Sequence, residues 1–288
     1  VASKVQTSQV TLRDVAKLSG VSFQTVSRVI NNSPGVASKT RSKVLQAIEE
    51  LGYHPNIAAR SLKTGQSMIL EVITFGVETY VPRELMEAIG RAAKARGYRI
   101  MFTSIPGDDL REVQYLIHRL QSRACDGAMI TSPVDNQAME VFMSAQLPVP
   151  ILQLRNRPGT PLPSVIIDQS AGVKLAVQHL LALGHREIAE ISGPLDWHEA
   201  ALRHEAFIST LAINGLRPAL SIASAEWMPQ SGYEAAQKSI ATGVHFSALI
   251  TGNDYLALGA ILALTDHGIR IPEDVSMIGF DDTPEAAF

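Results

Sequence analysis

The sequence predicts two structural classes in one chain: a small all-α unit at the amino end, followed by an α/β domain of two parallel-sheet subdomains. Three observations predict this. Residues 10–31, "VTLRDVAKLSGVSFQTVSRVIN", place two short helical patterns around a single glycine. From Met68 onward, apolar runs of strand length alternate with helical patterns, as parallel sheets covered by helices require. The charge also changes sign: residues 1–66 hold nine Lys or Arg against three Asp or Glu, a balance of +6, which leaves sixteen against twenty-five, or −9, for residues 67–288. With 288 residues and 46% hydrophobic content, the chain can bury a large core and has room for more than one domain.

In the opening stretch, Thr11 and Asp14 have capping-box spacing, so a helix is expected from Leu12 with Val15, Ala16 and Leu18 inward, ending at Gly20. Ser22 caps the next helix. At about 100° per residue, Phe23, Gln24, Ser27, Arg28 and Asn31 fall on one face, and Thr25, Val26, Val29 and Ile30 on the other. One face packs while the other stays free. Gln and Arg near the start of the second helix are residue types that make bidentate contacts to adenine and guanine edges. Two helices joined by a short glycine turn, with such residues on the second, describe a helix-turn-helix whose recognition helix enters the major groove. A third helix is expected from Ser38 to Gly52, with Val44, Ala47, Ile48 and Leu51 inward.

This segment, through "KTRSKVLQAIEELGYHPNIAARSL", resembles the amino-terminal headpiece of the LacI/GalR repressors, and the likeness continues more weakly to the end of the chain. The resemblance implies a headpiece over 1–54, a hinge over 55–66 and an effector-binding and dimerisation domain of the periplasmic-binding-protein type over 67–288. It implies that Phe23, Gln24 and Arg28 read bases. Thr11, Ser22, Thr25 and Ser27, together with Asn31, Thr40, Tyr53 and Asn56, would mostly hold phosphates. Phe23 departs from the family pattern, in which a tyrosine supplies a hydroxyl, and is left with apolar contact such as a thymine methyl.

After Pro55, Asn56 is a good N-cap, and "IAARSLKTG" offers about two helical turns, too few for an isolated helix in water. The resemblance implies that this hinge folds on DNA against its copy in a second subunit. Ala58 and Ala59 would let the backbones approach, and Leu62 would wedge into a minor-groove base step. It further implies a homodimer on a pseudo-palindromic operator, and a sheet-completing segment beyond "GFDD", so that 67–288 is expected to be truncated at its C-terminus.

Ligands of open parallel sheets bind beyond the carboxyl ends of strands. The polar residues at such positions are Thr131, Ser132, Arg155, Asp168, Asn253, Asp254, Asp281 and Asp282. Of these, Asp254 is expected to cap the following helix, and Asp168 and Asp282 read equally as turn residues. The family pattern around "SGP", "TGND" and "GFDD" places Arg203 and Asn253 in the effector cleft with Asp281 nearby. It also makes Trp227 the aromatic that packs against a sugar, though Trp227 reads as core too. A small carbohydrate is therefore the expected effector, acting as inducer. Arg155 stands where a family repressor carries an acid, and two arginines favour an acidic or phosphorylated sugar. Glu71, inside the first strand pattern, has no account from sequence alone.

Other classes fit poorly. No Walker A loop, nucleophile elbow or dinucleotide fingerprint appears, so neither catalysis nor a cofactor is expected. His198 and His204 in "HEAALRH" are six residues apart, pointing to different sides of a helix, so no metal is expected either. The lone Cys125 reads as a small buried residue. An exported sugar-binding protein without transcriptional role would share the body but needs a signal segment and has no use for the headpiece. A protein that compacts DNA would be repelled by the acidic body. Without an apolar run of about 18 residues or an apolar amino terminus, the expected location is the bacterial cytoplasm, at the nucleoid and away from membrane.

Overall fold

The computed structural model describes residues 10–31, 33–54, 64–76, 83–106, 109–131, 137–154 and 162–287. The chain divides into two units, Val1–Met68 and Ile69–Phe288. The first holds α1 (Leu12–Ser19), α2 (Phe23–Ile30) and α3 (Ser38–Leu51). At the start of α1, the Asp14 carboxylate accepts from the Thr11 amide at 2.9 Å and its hydroxyl at 2.7 Å, which holds the Asp14 carboxyl below its ordinary value. Gly20 and Gly52 end α1 and α3 at φ of 67° and 58°, a backbone that a Cβ would strain. Ser22 accepts from the Thr25 amide and caps α2. The α2 carboxyl end is closed by Arg41, which donates to the carbonyls of Val29 and Ser33. Val15, Val26, Val29, Val44, Ala47 and Tyr53 make the core. Leu18, expected inward, is instead 46% exposed. Three short helices have too little surface to cover both flanks of α1.

The second unit contains two all-parallel sheets. The first joins β1 (Ile69–Gly76), β2 (Arg99–Pro106), β3 (Gly127–Thr131), β4 (Ile151–Leu154) and β5 (Ser164–Val165) in the order β2-β1-β3-β4-β5. The second joins β6 (Ile188–Ser192), β7 (Leu220–Ala223), β8 (Ala248–Thr251) and β9 (Ser276–Ile278) in the order β7-β6-β8-β9. The intervening helices are α4 (Arg83–Ala95), α5 (Leu110–Gln121), α6 (Gln137–Ser144), α7 (Gln169–Ala182), α8 (His198–Ile213), α9 (Pro229–Ala241) and α10 (Asp254–Asp266). One buried apolar cluster belongs to the first sheet and two to the second. Among the described residues no helix is long and apolar enough to cross a membrane.

Two elements are invisible to hydrophobic periodicity, β7 and α9. β7 has only four residues, and α9, "PQSGYEAAQKSIA", buries Ser231, Gly232, Ala235, Ala236 and Ser239 rather than large side chains. Small residues are what the packing of α9 on α10 demands. A Cβ on Gly232 would land on the Leu256 backbone, and one on Gly259 on the Pro229 carbonyl and the Tyr233 amide.

The structure also accounts for Glu71. Fully buried in β1, its carboxylate accepts from Thr103 of β2 at 2.6 Å and from Arg119 of α5, and Arg119 donates to the Thr103 hydroxyl at 2.8 Å. The charge is tolerated because it is paired and hydrogen-bonded. Beside it, burial pushes the Cys125 thiol up to about 11, with Glu71 adding to the shift, so the thiol stays protonated and inert at neutral pH. The second sheet has its own buried acid. Glu190 of β6 accepts from His204 Nδ1 at 2.7 Å and Ser221 at 2.9 Å, yet burial outweighs both partners and raises its carboxyl above the ordinary value.

Gly259→Ala should therefore destabilise the α/β unit by about 1–3 kcal/mol or more, read by urea unfolding, because backbone rather than a mobile side chain would have to yield. The folded Glu190 carboxyl binds its proton more tightly than the unfolded one. Its contribution is thus fully present below the unfolded value near 4.5 and is lost as pH rises through the raised folded value. Melting temperatures across that window should fall less steeply with pH in Glu190→Gln than in the parent chain.

Candidate functional site

In the amino-terminal unit, α2 divides as its periodicity requires. Val26 and Val29 are buried, whereas Ser22, Phe23, Gln24, Arg28 and Asn31 are exposed and Thr25 and Ser27 half-buried. Phe23 leaves 50% of its surface in solvent, a cost that a lone domain has no reason to carry. The Asn31 amide donates to the Ser27 carbonyl at 2.8 Å and closes α2. Thr11 is exposed and Thr40 half-buried. Tyr53 packs in the headpiece core at 7% exposure, because its ring is the largest apolar surface available to so small a core. Asn56, Ala59 and Leu62 lie outside the described residues.

The α/β unit contains a cavity of about 610 Å³. Most of its lining comes from beyond the carboxyl ends of strands: Leu154 and Val165 end β4 and β5, Trp197 and Trp227 follow β6 and β7, and Asn253 and Asp281 follow β8 and β9. Arg203 ties these ends together. Its Nε donates to Gln169 Oε1 at 2.7 Å, Nη1 to the Gly252 carbonyl and Nη2 to Asp281 Oδ1 at 3.2 Å. The guanidinium also lies 3.8 Å from the Phe280 ring centroid and 5.5 Å from that of Trp227, within cation–π range. Its side chain is only 11% exposed.

Trp227 rests on glycines. A Cβ on Gly193 would occupy the indole ring, and one on Gly252 would press on both the Gly193 amide and that ring. The glycines of "SGP" and "TGN" are thus the floor on which the indole lies. The Trp227 Nε1–H is buried and has no acceptor among the described residues.

Asn253 is 2% exposed, and it, not Asp254, is the N-cap of α10: its Oδ1 accepts from the Leu256 amide at 2.8 Å while its Nδ2 donates to the Trp227 carbonyl at 3.3 Å. Asp254 instead accepts from the Thr283 amide at 2.8 Å and clamps the segment after β9. That clamp holds Asp281 and Asp282 at φ of 99° and 55°, left-handed values that non-glycine residues adopt only where the surroundings enforce them.

The structure therefore brings Arg203, Trp227, Asn253 and Asp281 to one cavity. It does not bring Thr131, buried at the end of β3, or Asp168, whose side chain accepts from the Ala171 amide as the N-cap of α7. Arg155 and Ser132 lie outside the described residues. Sequence reasoning missed Gln169, Trp197 and Glu199, which also line it. The sequence did carry a signal: the only two tryptophans of the chain, Trp197 and Trp227, meet there edge to face, 5.7 Å apart. Among the described residues, no cluster of His, Cys, Asp and Glu could hold a metal ion.

Comparison with known proteins adds the following. Residues 11–56 match the pattern of bacterial regulatory proteins, lacI family, and residues 177–288 that of a periplasmic binding protein-like domain. The chain is 34% identical over 278 residues to the lactose operon repressor of Escherichia coli (strain K12), covering 96% of this chain and 77% of that protein. It superposes on the lac repressor dimer bound to operator and the anti-inducer ONPF with a TM-score of 0.85, covering 97% of this chain and 84% of that one, at 34% identity. The transcriptional regulator CelR in complex with cellobiose aligns over 96% of this chain and 84% of its own, with a TM-score of 0.64 and 27% identity.

Gly193→Ala should push Trp227 off its floor. With both tryptophans at the cavity, emission should shift to the red while far-ultraviolet circular dichroism stays unchanged. Unshifted emission would mean that the indole does not lie where Gly193 makes room for it.

Proposed function

The chain belongs to the lacI family of bacterial regulatory proteins, and on that premise we propose that it represses transcription by binding a pseudo-palindromic operator as a homodimer and releases it when a small carbohydrate fills the cleft of the α/β unit. The observation that carries this reading is the exposed face of α2. Phe23, Gln24 and Arg28 stand out from a headpiece whose own core is complete without them. Gln24 and Arg28 supply bidentate donors for base edges and Phe23 an apolar contact, while Thr11, Ser22, Thr25, Ser27, Asn31 and Thr40 surround them with phosphate-binding groups. In the cleft, Trp227 covers a ring face, and Arg203, Asn253 and Asp281 offer donors and acceptors to hydroxyls. The hinge at 55–66 couples the two, since a ligand need only shift the balance between its ordered and disordered forms by a few kcal/mol. The protein acts in the bacterial cytoplasm, at the nucleoid.

The relatives support this reading: one is bound to operator as a dimer, and another holds cellobiose. A sugar-binding protein without transcriptional role has no use for a lacI-type segment at 11–56. Nor is the chain an enzyme; its relatives are repressors.

Selection from random duplex DNA by the full chain should enrich a pseudo-palindrome, with affinity falling steeply as salt rises. Arg28→Ala should weaken binding to the selected site by roughly 1–3 kcal/mol and relax preference at one base pair per half-site. Failure to retard any enriched duplex at low ionic strength overturns the proposal, and an unchanged profile in Arg28→Ala removes the base-reading role of that residue.

A further inference from the structure

Several features of the cleft go beyond a single sugar ring against Trp227. Trp197, at the N-cap of α8, is a second indole lining the same cavity, inclined 71° to the first. Two surfaces so steeply inclined cannot both lie flat on one pyranose, so a ligand that uses both must present two ring planes. Glu199, two residues on and 5% exposed, adds a carboxylate on the Trp197 side. Across the cavity, the link from β5 to α7 presents Val165, Ile166 and Ile167, which are 60%, 51% and 74% exposed. Three consecutive exposed apolar side chains facing a cavity call for an apolar ligand face. At about 610 Å³ the cavity is larger than one pyranose fills and falls within the range of drug-sized ligands, roughly 300–1,000 Å³.

The charges decide between acidic and uncharged ligands. Among the described lining residues, Glu84, Glu199, Asp281 and Asp282 face one cation, Arg203, which is already bonded to Asp281. Such a surplus of carboxylates repels an anionic ligand and accepts hydrogen bonds from hydroxyls. It works against the acidic or phosphorylated sugar that two arginines would favour.

We propose that Trp197 and Glu199 form a second ring subsite beside Trp227, and that the effector is an uncharged disaccharide or longer oligosaccharide whose two successive rings pack against the two indoles. The inference rests on the carbohydrate reading of the same cleft and adds the size and charge of the ligand. Trp197 selects for the second ring, and Glu199 takes its hydroxyls.

Because both tryptophans of the chain line the cavity, intrinsic fluorescence of the full chain reports on it directly, with isothermal titration calorimetry giving affinities. The panel is glucose and galactose, then cellobiose, maltose and lactose, then glucose 6-phosphate and glucuronate. At least one disaccharide should bind ten or more times tighter than its constituent monosaccharides, and the two anionic sugars should bind no better than glucose. Trp197→Ala should cut that disaccharide preference about tenfold, and Trp197→Phe, which keeps an aromatic surface and packs more conservatively, should retain part of it. Equal losses for monosaccharide and disaccharide would reduce Trp197 to a support for Trp227 and overturn the second subsite. Tight binding of a monosaccharide, or of an anionic sugar, overturns the size or charge assignment while leaving a carbohydrate effector standing. No binding of any member of the panel by folded protein overturns both.

Discussion

The guanidinium of Arg203 is the group on which the α/β unit's site depends. It reaches Gln169 at the start of α7, the Gly252 carbonyl after β8 and Asp281 after β9, with Phe280 and Trp227 against its faces. A planar fork with five donors can serve three acceptors in fixed directions at once; an ammonium on a flexible stem cannot. The strand ends that a parallel sheet leaves facing one way are thereby locked into one surface. The left-handed backbone at Asp281 and Asp282 belongs to the same lock. It is held from one side by the Asp254 carboxylate on the Thr283 amide and from the other by Arg203.

Glycine does the complementary work. Gly193 and Gly252 let an indole lie on backbone, and Gly232 and Gly259 let two helices touch at backbone distance. In each place the side chain that matters belongs to a neighbour, and the glycine is there because nothing else leaves room. The headpiece follows the opposite economy. Its core is so small that Tyr53 is drawn inward, while Phe23, an equally apolar ring, stays outside on the face of α2 that the core does not need. That contrast, within one unit of three helices, is what marks α2 as a reading surface.

Much of this was legible in the sequence, element by element. The capping residues Thr11 and Ser22, the stops at Gly20 and Gly52 and the two faces of α2 are all local, set by residues within one or two turns of each other. The β1 to β6 runs are apolar enough to be read directly. β7 and α9 were not legible, because one is too short and the other packs through Ser, Gly and Ala, which carry no hydrophobic periodicity. Asn253 rather than Asp254 capping α10 was decided by one residue of register, which either side chain could have satisfied locally. Glu71 looked anomalous only because its partners, Thr103 and Arg119, are 32 and 48 residues away.

The amino-acid sequence by itself determined the two fold classes, the basic and acidic halves, the helix boundaries of the headpiece and the polar positions at strand ends, since each depends on composition or on near neighbours along the chain. Only the tertiary structure decided what those positions become together. Arg203 meets partners 34, 49 and 78 residues distant, Trp197 joins Trp227 at one cavity, and Asp168 turns to capping its own helix. The character of the cleft, apolar on one wall and rich in carboxylate overall, arises from convergence of residues from α4 to the segment after β9. Charge in a site is a sum over space, and a linear chain does not state which of its members will be near.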